Sequence, residues 1–442
     1  MKHWRLKSKE ERRFKQGHPW VYSNELQESP KGIQPGELLI LDDSGGAFLA
    51  YGFGNPSSLI AFRTLSREKQ EGLETQDLLR TIFLKKLKNA FDFRLQWFSL
   101  SQSFRMVYGE NDDLPGLVID RYAGKEVVYV VQPHSAGMDH HLPLIASSLS
   151  EISKALGESS NTKIIFRRDA GSREREGLSK EPTEAQFLHS GAKVESHDAY
   201  RDFEFQLQSV MNREVSMKVD LIAGQKTGFF FDQAHNVKLA QILLLRKFRY
   251  DPRLVKNEKS LQLLDLCSYV GQWSVQLAQV FMERGLPLDI TAVDASDTAL
   301  QFAEKNVKRN TIEAGKNEIR FHRIKADVLE PMPALKDQSF EVVVADPPAF
   351  IKNRKSIPQG KHAYSQLFTQ AIQKTAKGGM VICCSCSQLL SAEDMKECLQ
   401  KAVRRSGRTV RWITQGSPSL DHFMKVEFEE GHYLKSWIGC VD

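Results

Sequence analysis

In the second half of the chain, apolar runs alternate with stretches of helical period. Leu261, Leu263, Leu264 and Leu266 make a run that is apolar on both faces, the pattern of a central parallel strand. Ser268 and Gly271 then break the run with a turn, and the spacing predicts a helix over 273–284. The same alternation continues, with strands predicted at 290–293, 319–324, 340–345 and 380–384. The intervening helices are predicted at 298–309, 364–375 and 392–405, and another precedes the first strand at 236–246. Such alternation predicts a doubly wound, mostly parallel α/β sheet. The stretches 409–413 and 430–438 suit closing antiparallel strands.

The first half reads differently. Short apolar strands at 37–42, 48–53 and 59–63 are separated by Pro-Gly and Gly-Gly turns, the pattern of a small β-barrel. The basic stretch 7–15 suits a short helix or an edge strand. Leu78, Leu79, Ile82, Phe83, Leu87 and Phe91 recur at helical spacing, predicting a helix over about 75–100. A turn at Asp112-Asp113-Leu-Pro-Gly116, a valine-rich strand at 125–132, a helix at 142–156 and a strand at 163–166 complete a β-β-α-β layer. Residues 167–185 are charged and lack an apolar period, so they read as an exposed, solvated loop. Strands at 200–207 and 215–222 follow. The expected division is a β-barrel over 1–72, a central α+β domain over 73–205 and the doubly wound domain over 206–442.

Composition narrows the class. Hydrophobic residues make up 41% and charged residues 26% of the chain, which is ordinary for a globular protein. The net charge of +6 permits nucleic-acid binding without requiring it. No apolar stretch approaches a membrane span, and the charged first residues are not followed by the apolar run of a secretory signal. Three of the six cysteines, Cys383, Cys384 and Cys386, crowd one predicted strand. This is poor geometry for a disulfide framework, and the expected compartment is a reducing cytoplasm.

Acidic residues mark the carboxyl ends of successive predicted strands: Asp265, Asp294, Asp327 and Asp346. An isolated one is commonly a helix cap; four along one sheet point to a ligand at the edge where such sheets bind them. An ionised carboxylate only accepts hydrogen bonds, so Asp294 suits a ribose diol and Asp327 the amine of adenine. Gly271 stands alone in the first turn, without the G-x-G-x-x-G that brings a pyrophosphate onto a helix. A cofactor without phosphates fits, and S-adenosylmethionine is the obvious one. Asp346 opens Asp346-Pro-Pro-Ala-Phe350, in which Pro347 and Pro348 stiffen the backbone and Phe350 offers a face for stacking a base. Cys386 lies past the apolar part of its strand and is either a nucleophile near the rim of Asp346 or a small core residue. Cys-Cys-x-Cys lacks metal-ligand spacing, so no metal is expected.

Together these stretches resemble the bacterial and archaeal PUA-domain methyltransferases that make 5-methylcytosine in large-subunit ribosomal RNA. The likeness is carried by His18-Pro-Trp-Val-Tyr-Ser23, Asp113-Leu-Pro-Gly-Leu-Val-Ile-Asp-Arg121, Gln225-Lys-Thr-Gly-Phe-Phe-Phe-Asp-Gln233, Asp346-Pro-Pro-Ala-Phe350 with Ser385-Cys-Ser387, and His432-Tyr-Leu-Lys435. The resemblance implies a PUA barrel, a small α+β domain and a Rossmann-like class I methyltransferase domain. It implies that Asp265, Cys267, Gly271, Asp294, Ala295, Asp327, Val328 and Asp346 line the S-adenosylmethionine site. The segment from Lys226 to Gln233 is then expected to close over it, with Phe231 and Gln233 on the cofactor and Lys226 toward the substrate beside Pro347, Pro348 and Phe350. It further implies Cys386 as nucleophile with Asp346 assisting, RNA as partner, and a homodimer. Gln272 stands where relatives often carry a second glycine. Two rival readings are an N-methyltransferase acting on an exocyclic base amine, which Asp-Pro-Pro-Ala-Phe also suits, and a non-catalytic RNA-binding assembly factor.

Overall fold

The computed structural model describes residues 1–208, 210, 214–250, 260–311 and 318–442. They form two compact units. One comprises Met1–Phe205, Asp220–Phe229 and Leu420–Gly431, and the other Gln206–Val219, Phe230–Ser419 and His432–Asp442.

The first unit contains two five-stranded sheets. Strands β1 (Lys2–Arg5), β2 (Trp20–Tyr22), β3 (Glu37–Asp42), β4 (Phe48–Gly54) and β5 (Ile60–Ser66) lie in the order β1-β3-β4-β5-β2. The basic amino-terminal stretch resolves as a short helix, α1 (Glu11–Lys15). β1 was not expected: only Trp4 of its residues is buried, and its parallel pairing to β3 is a contact distant in sequence. The second sheet is reached through α2 (Thr75–Leu95), whose leucines and phenylalanines at helical spacing are buried as anticipated. It contains β6 (Phe104–Tyr108), β7 (Leu117–Ala123), β8 (Val127–Pro133), β9 (Lys163–Phe166) and β10 (Glu184–Phe187), in the order β10-β9-β8-β7-β6. Helices α3 (Ala136–His140) and α4 (Leu142–Ala155) precede β9.

The charged stretch 167–185 is exposed over much of its length, as its composition suggests, but three of its charged residues are buried. Arg167 is 2%, Arg173 1% and Glu176 3% exposed, and β10 begins inside it. Arg173 forms an ion pair with Asp139 at 2.6 Å. Arg167 donates to the carbonyls of Leu221 and Gly224. Glu176 accepts from Asn55, Ser58 and Arg63. Buried charges persist where they are paired and hydrogen-bonded, and these partners lie too far along the chain for local composition to show them.

Helix α5 (Asp198–Arg201) closes the long first segment of the first unit and leads into β11 (Phe203–Gln208), which passes into the second unit after Phe205 and makes a two-stranded sheet with β12 (Glu214–Val219). The large sheet then follows the predicted alternation. Its elements are α6 (Ala234–Tyr250), β13 (Leu261–Leu266), α7 (Gln272–Glu283), β14 (Leu288–Asp294), α8 (Asp297–Thr311), β15 (Ile319–Lys325), β16 (Phe340–Ala345), α9 (Ile357–Lys374), β17 (Thr375–Ser385), α10 (Ala392–Ser406), β18 (Val410–Gly416) and β19 (Lys435–Val441). The strand order is β15-β14-β13-β16-β17-β19-β18. The strands from β15 to β17 are parallel, and β19 runs antiparallel between β17 and β18. Every residue of β13 except Gln262 is buried, because helices cover both faces. The order reverses between β13 and β16, and the crevice at such a switch point is where open α/β sheets hold ligands. No helix among the described residues is long and apolar enough to cross a membrane.

Candidate active site

The turn after β13 is strained and closely packed. Cys267 and Tyr269 adopt φ of 65° and 49°, and Gly271 adopts 80°. The left-handed region is costly for a side-chain-bearing residue. At Gly271 a β-carbon would lie 3.0 Å from that of Ala303 on α8, so glycine is required there for both conformation and space. Val293 O, at the end of β14, accepts the amides of Cys267 and Ser268, tying the turn to the neighbouring strand.

Asp265 is fully buried beneath this turn. Its Oδ2 accepts from the amide of Ser274 at 3.2 Å and from its hydroxyl at 2.6 Å, so it caps the first turn of α7 from the strand below. Among the described residues its Oδ1 has no partner, and neither do Ser268 Oγ and Gln272 Nε2. Burial pushes the carboxyl of Asp265 up to about 7, against the Ser274 hydrogen bonds and with help from the charges of Asp346 and Asp294.

The other strand-end carboxylates sit more openly. Asp294, half-buried, accepts from the amides of Tyr269 at 2.9 Å and Ser296 at 2.8 Å, with Ala295 exposed beside it. Asp327 is exposed and accepts from the amide of Leu329, while its neighbour Val328 is buried. The thiol of Cys267 reports their convergence. Burial raises it well above the ordinary thiol range, and the charges of Asp294, Asp346, Asp265 and Asp327 all push the same way. Several carboxylates at one strand-end rim, with buried polar atoms that find no partner among the described residues, suit a ligand that carries both positive charge and hydrogen-bond donors. S-adenosylmethionine fits it: the ligand has a sulfonium, an ammonium and a ribose diol, and no phosphate to oppose the carboxylates.

Asp346 follows β16. Its Oδ1 accepts from Gln233 Nε2 at 2.8 Å and its Oδ2 from the indole of Trp273 at 2.9 Å. Gln233 is buried, and its own carbonyl accepts from Asn236. Phe231 is buried beside it in sequence, whereas Lys226 is exposed with φ 51° and belongs to the first unit. The segment expected to act as one closing element is therefore divided between the units after Phe229.

Cys386 lies one residue past β17. Its Sγ is 3.7 Å from the carbonyl oxygen of Pro347, the residue after Asp346. Ser387 stitches the two loops together. Its hydroxyl accepts from the amide of Ile351 at 3.2 Å and shares a hydrogen bond of 2.8 Å with the Tyr364 hydroxyl. Phe350 packs on Tyr364 with ring centroids 4.8 Å apart, and Pro348 is exposed. Cys383 and Cys384 are fully buried, and burial raises both thiols. All six thiols are unbridged.

Two residues of this site were not singled out from sequence. Trp273 reads along the chain as an apolar start to α7, and only the fold turns its N–H toward Asp346. Lys435 donates to the carbonyl of Ser387 at 2.9 Å; the single signal for it was its place in the His432–Lys435 motif.

Comparison with known proteins gives this geometry a family. Residues 5–67 match the family described as "PUA-like domain", and residues 257–431 the family described as "Methyltransferase domain". A protein of Deinococcus radiodurans named ribosomal RNA large subunit methyltransferase is 30% identical over 447 aligned positions, covering 98% of this chain and 95% of the relative. One from Cronobacter sakazakii, named ribosomal RNA large subunit methyltransferase I, is 27% identical and covers 95% and 94%. Among solved structures, a SAM-dependent methyltransferase from Streptococcus mutans covers the whole of both chains with a TM-score of 0.70 at 15% identity, a likeness of fold. The barrel sheet, the strand order of the large sheet and this full-length similarity lead to one conclusion: the chain belongs to the large-subunit ribosomal RNA methyltransferase family, whose methyl donor is S-adenosylmethionine.

Proposed function

We propose that this protein methylates carbon 5 of a cytosine in large-subunit ribosomal RNA, with Cys386 as a covalent nucleophile. The observation that carries the reading is the 3.7 Å approach of Cys386 Sγ to the Pro347 carbonyl. It sets a thiol on the same rim as Asp346 and Phe350, at the ends of two adjacent parallel strands.

Carbon 5 of cytosine is a poor nucleophile. Addition of the Cys386 thiolate to carbon 6 makes the ring enamine-like and raises electron density at carbon 5. When bound, S-adenosylmethionine supplies an electrophilic methyl group. Asp346 is oriented by Gln233 and Trp273. A carboxylate offers about four acceptor positions, so these two donors do not exhaust it, and it is suited to the amine edge of the cytosine. Phe350 stacks on the ring. After carbon 5 is methylated, a water molecule takes its proton, the C–H electron pair re-forms the ring double bond, and the C–S pair leaves with Cys386 as thiolate. A base inside a duplex is out of reach of such a rim, so the target nucleotide is single-stranded or flipped out.

RNA containing 5-fluorocytidine tests the reading. Fluorine at carbon 5 blocks the elimination, so incubation with S-adenosylmethionine is expected to leave a denaturation-resistant protein–RNA adduct mapping to Cys386. Failure to form one, with ordinary RNA methylated by the same preparation, rejects the covalent route.

Beyond Phe350, Lys352, Arg354 and Lys355 are exposed around a short 3-10 turn. None forms an ion pair among the described residues. Unpaired cations beside the substrate rim suit RNA phosphates. Replacing all three by Gln is expected to lower the slope of log affinity against log salt by roughly 2, at about 0.7 per single-strand phosphate contact. Fluorescence anisotropy with a labelled RNA fragment measures it, and an unchanged slope excludes this loop from the RNA path.

A further inference from the structure

Lys435 is a partly buried cation whose position needs an explanation. It opens β19 and pairs across the antiparallel register with Ser385, while its ammonium donates to the carbonyl of Ser387 at 2.9 Å. The residue between these two contacts is Cys386. Lys435 is only partly exposed and forms no ion pair with a carboxylate among the described residues. A lysine withdrawn from water without a carboxylate is unfavourable unless another anion faces it.

Resting on the reading of Cys386 as nucleophile, we infer that Lys435 is the activating partner of Cys386, taking up its thiol proton and holding the sulfur as a thiolate. The exchange is balanced. The S–H bond breaks and its electron pair stays on sulfur, while the proton forms an N–H bond on the Lys435 amine. The thiolate adds to carbon 6 of the base. On elimination the C–S electron pair returns to sulfur, which again faces the ammonium. Lys435 does not touch the base in this scheme; it acts through Cys386. Burial lowers the Lys435 amine to about 8, with the charges of Cys386 and Asp394 opposing, which places the amine where it exchanges protons near neutral pH. The other groups around the pair do not supply that function. Tyr364 is raised to about 12 by burial and by the charge of Cys386, so it stays neutral. Asp394 is held by Lys361 at 2.6 Å.

The test reads Cys386 directly. The rate of its alkylation by iodoacetamide is followed against pH by peptide fragmentation, in the full-length protein without cofactor. Lys435→Gln keeps a donor for the Ser387 carbonyl but loses the charge, so it separates activation from mere positioning of the loop. Its alkylation midpoint is expected to rise by about one pH unit or more, with roughly tenfold slower reaction at pH 7. Lys435→Arg restores the cation but cannot take up a proton, so it is expected to keep a low alkylation midpoint while losing most methylation, which separates proton uptake from charge alone. An unchanged midpoint in Lys435→Gln overturns the inference. Should that variant fail to fold by circular dichroism, the reciprocal measurement serves. In Cys386→Ser, the acetylation midpoint of Lys435 is expected to fall, and an unmoved midpoint overturns the inference equally. The two readings fail separately. Full 5-methylcytosine formation by Cys386→Ala sinks the proposed function, whereas an unshifted Lys435→Gln midpoint alongside an inactive Cys386→Ala sinks only the role of Lys435.

Discussion

Cys386→Ala is expected to lower 5-methylcytosine formation by at least about 1,000-fold, since a covalent route has no substitute for its nucleophile. The sulfur is partly exposed at the end of β17, where it accepts no packing load comparable to the buried Cys383 and Cys384. The variant should therefore fold and bind S-adenosylmethionine within about twofold of wild type. Cys383→Ala and Cys384→Ala are the informative controls. Both residues are fully buried, so their loss is expected to cost stability, about 1 kcal/mol each as small cavities, while leaving the chemistry intact. Single-turnover assays with nucleoside mass spectrometry check all three. Retained methylation by Cys386→Ala, with the product on an exocyclic amine, would establish the rival N-methyl transfer instead.

The second large effect concerns Asp265. Its ordinary pKa is near 3.8 and its folded value is about 7, raised chiefly by burial. Between those values the folded protein binds more protons than the unfolded chain. Stability therefore falls as pH rises through this window, and levels off above it. The full span corresponds to on the order of 4 kcal/mol. In cofactor-free protein the Tm is expected to drop between about pH 4 and pH 7, and Asp265→Asn, which cannot ionise, to flatten that part of the profile. S-adenosylmethionine brings positive charge to the same pocket, so it favours the ionised carboxylate. Its affinity is expected to weaken as pH falls below about 7, by up to tenfold per unit, and again Asp265→Asn removes the trend. Thermal melts and calorimetry across pH measure both. An Asp265→Asn variant with the wild-type pH profile would assign the dependence to another group.

Both effects arise at residues that were visible in the sequence, but their physical states were not. Asp265 was recognisable as an acid at a strand end. Nothing local shows that one of its oxygens caps Ser274 while the other lacks a partner among the described residues, because that depends on how α7 seats on β13. Cys386 could be set apart from Cys383 and Cys384 by its position beyond the apolar run. Its approach to Pro347 depends on β16 and β17 being neighbours, and their adjacency was not encoded by spacing. The charged stretch 167–185 marks the opposite failure. Its composition describes solvent, while Arg167, Arg173 and Glu176 are buried by partners tens of residues away.

By itself, then, the sequence determined what repeats with a short period or must satisfy a local constraint. The apolar runs of β13 and β16, the alternation that makes a doubly wound sheet, the amphipathic spacing of α2 and the glycine at 271 all belong to that class, because side-chain periodicity and backbone sterics act within a few residues. Only the tertiary structure decided which strand ends meet. It inserted β19 antiparallel between β17 and β18, setting Lys435 across from Ser385. It also turned Trp273 and Gln233 onto Asp346. Those pairings rest on burial and hydrogen bonding between segments far apart in the chain, and their energy exists only once the sheet has formed.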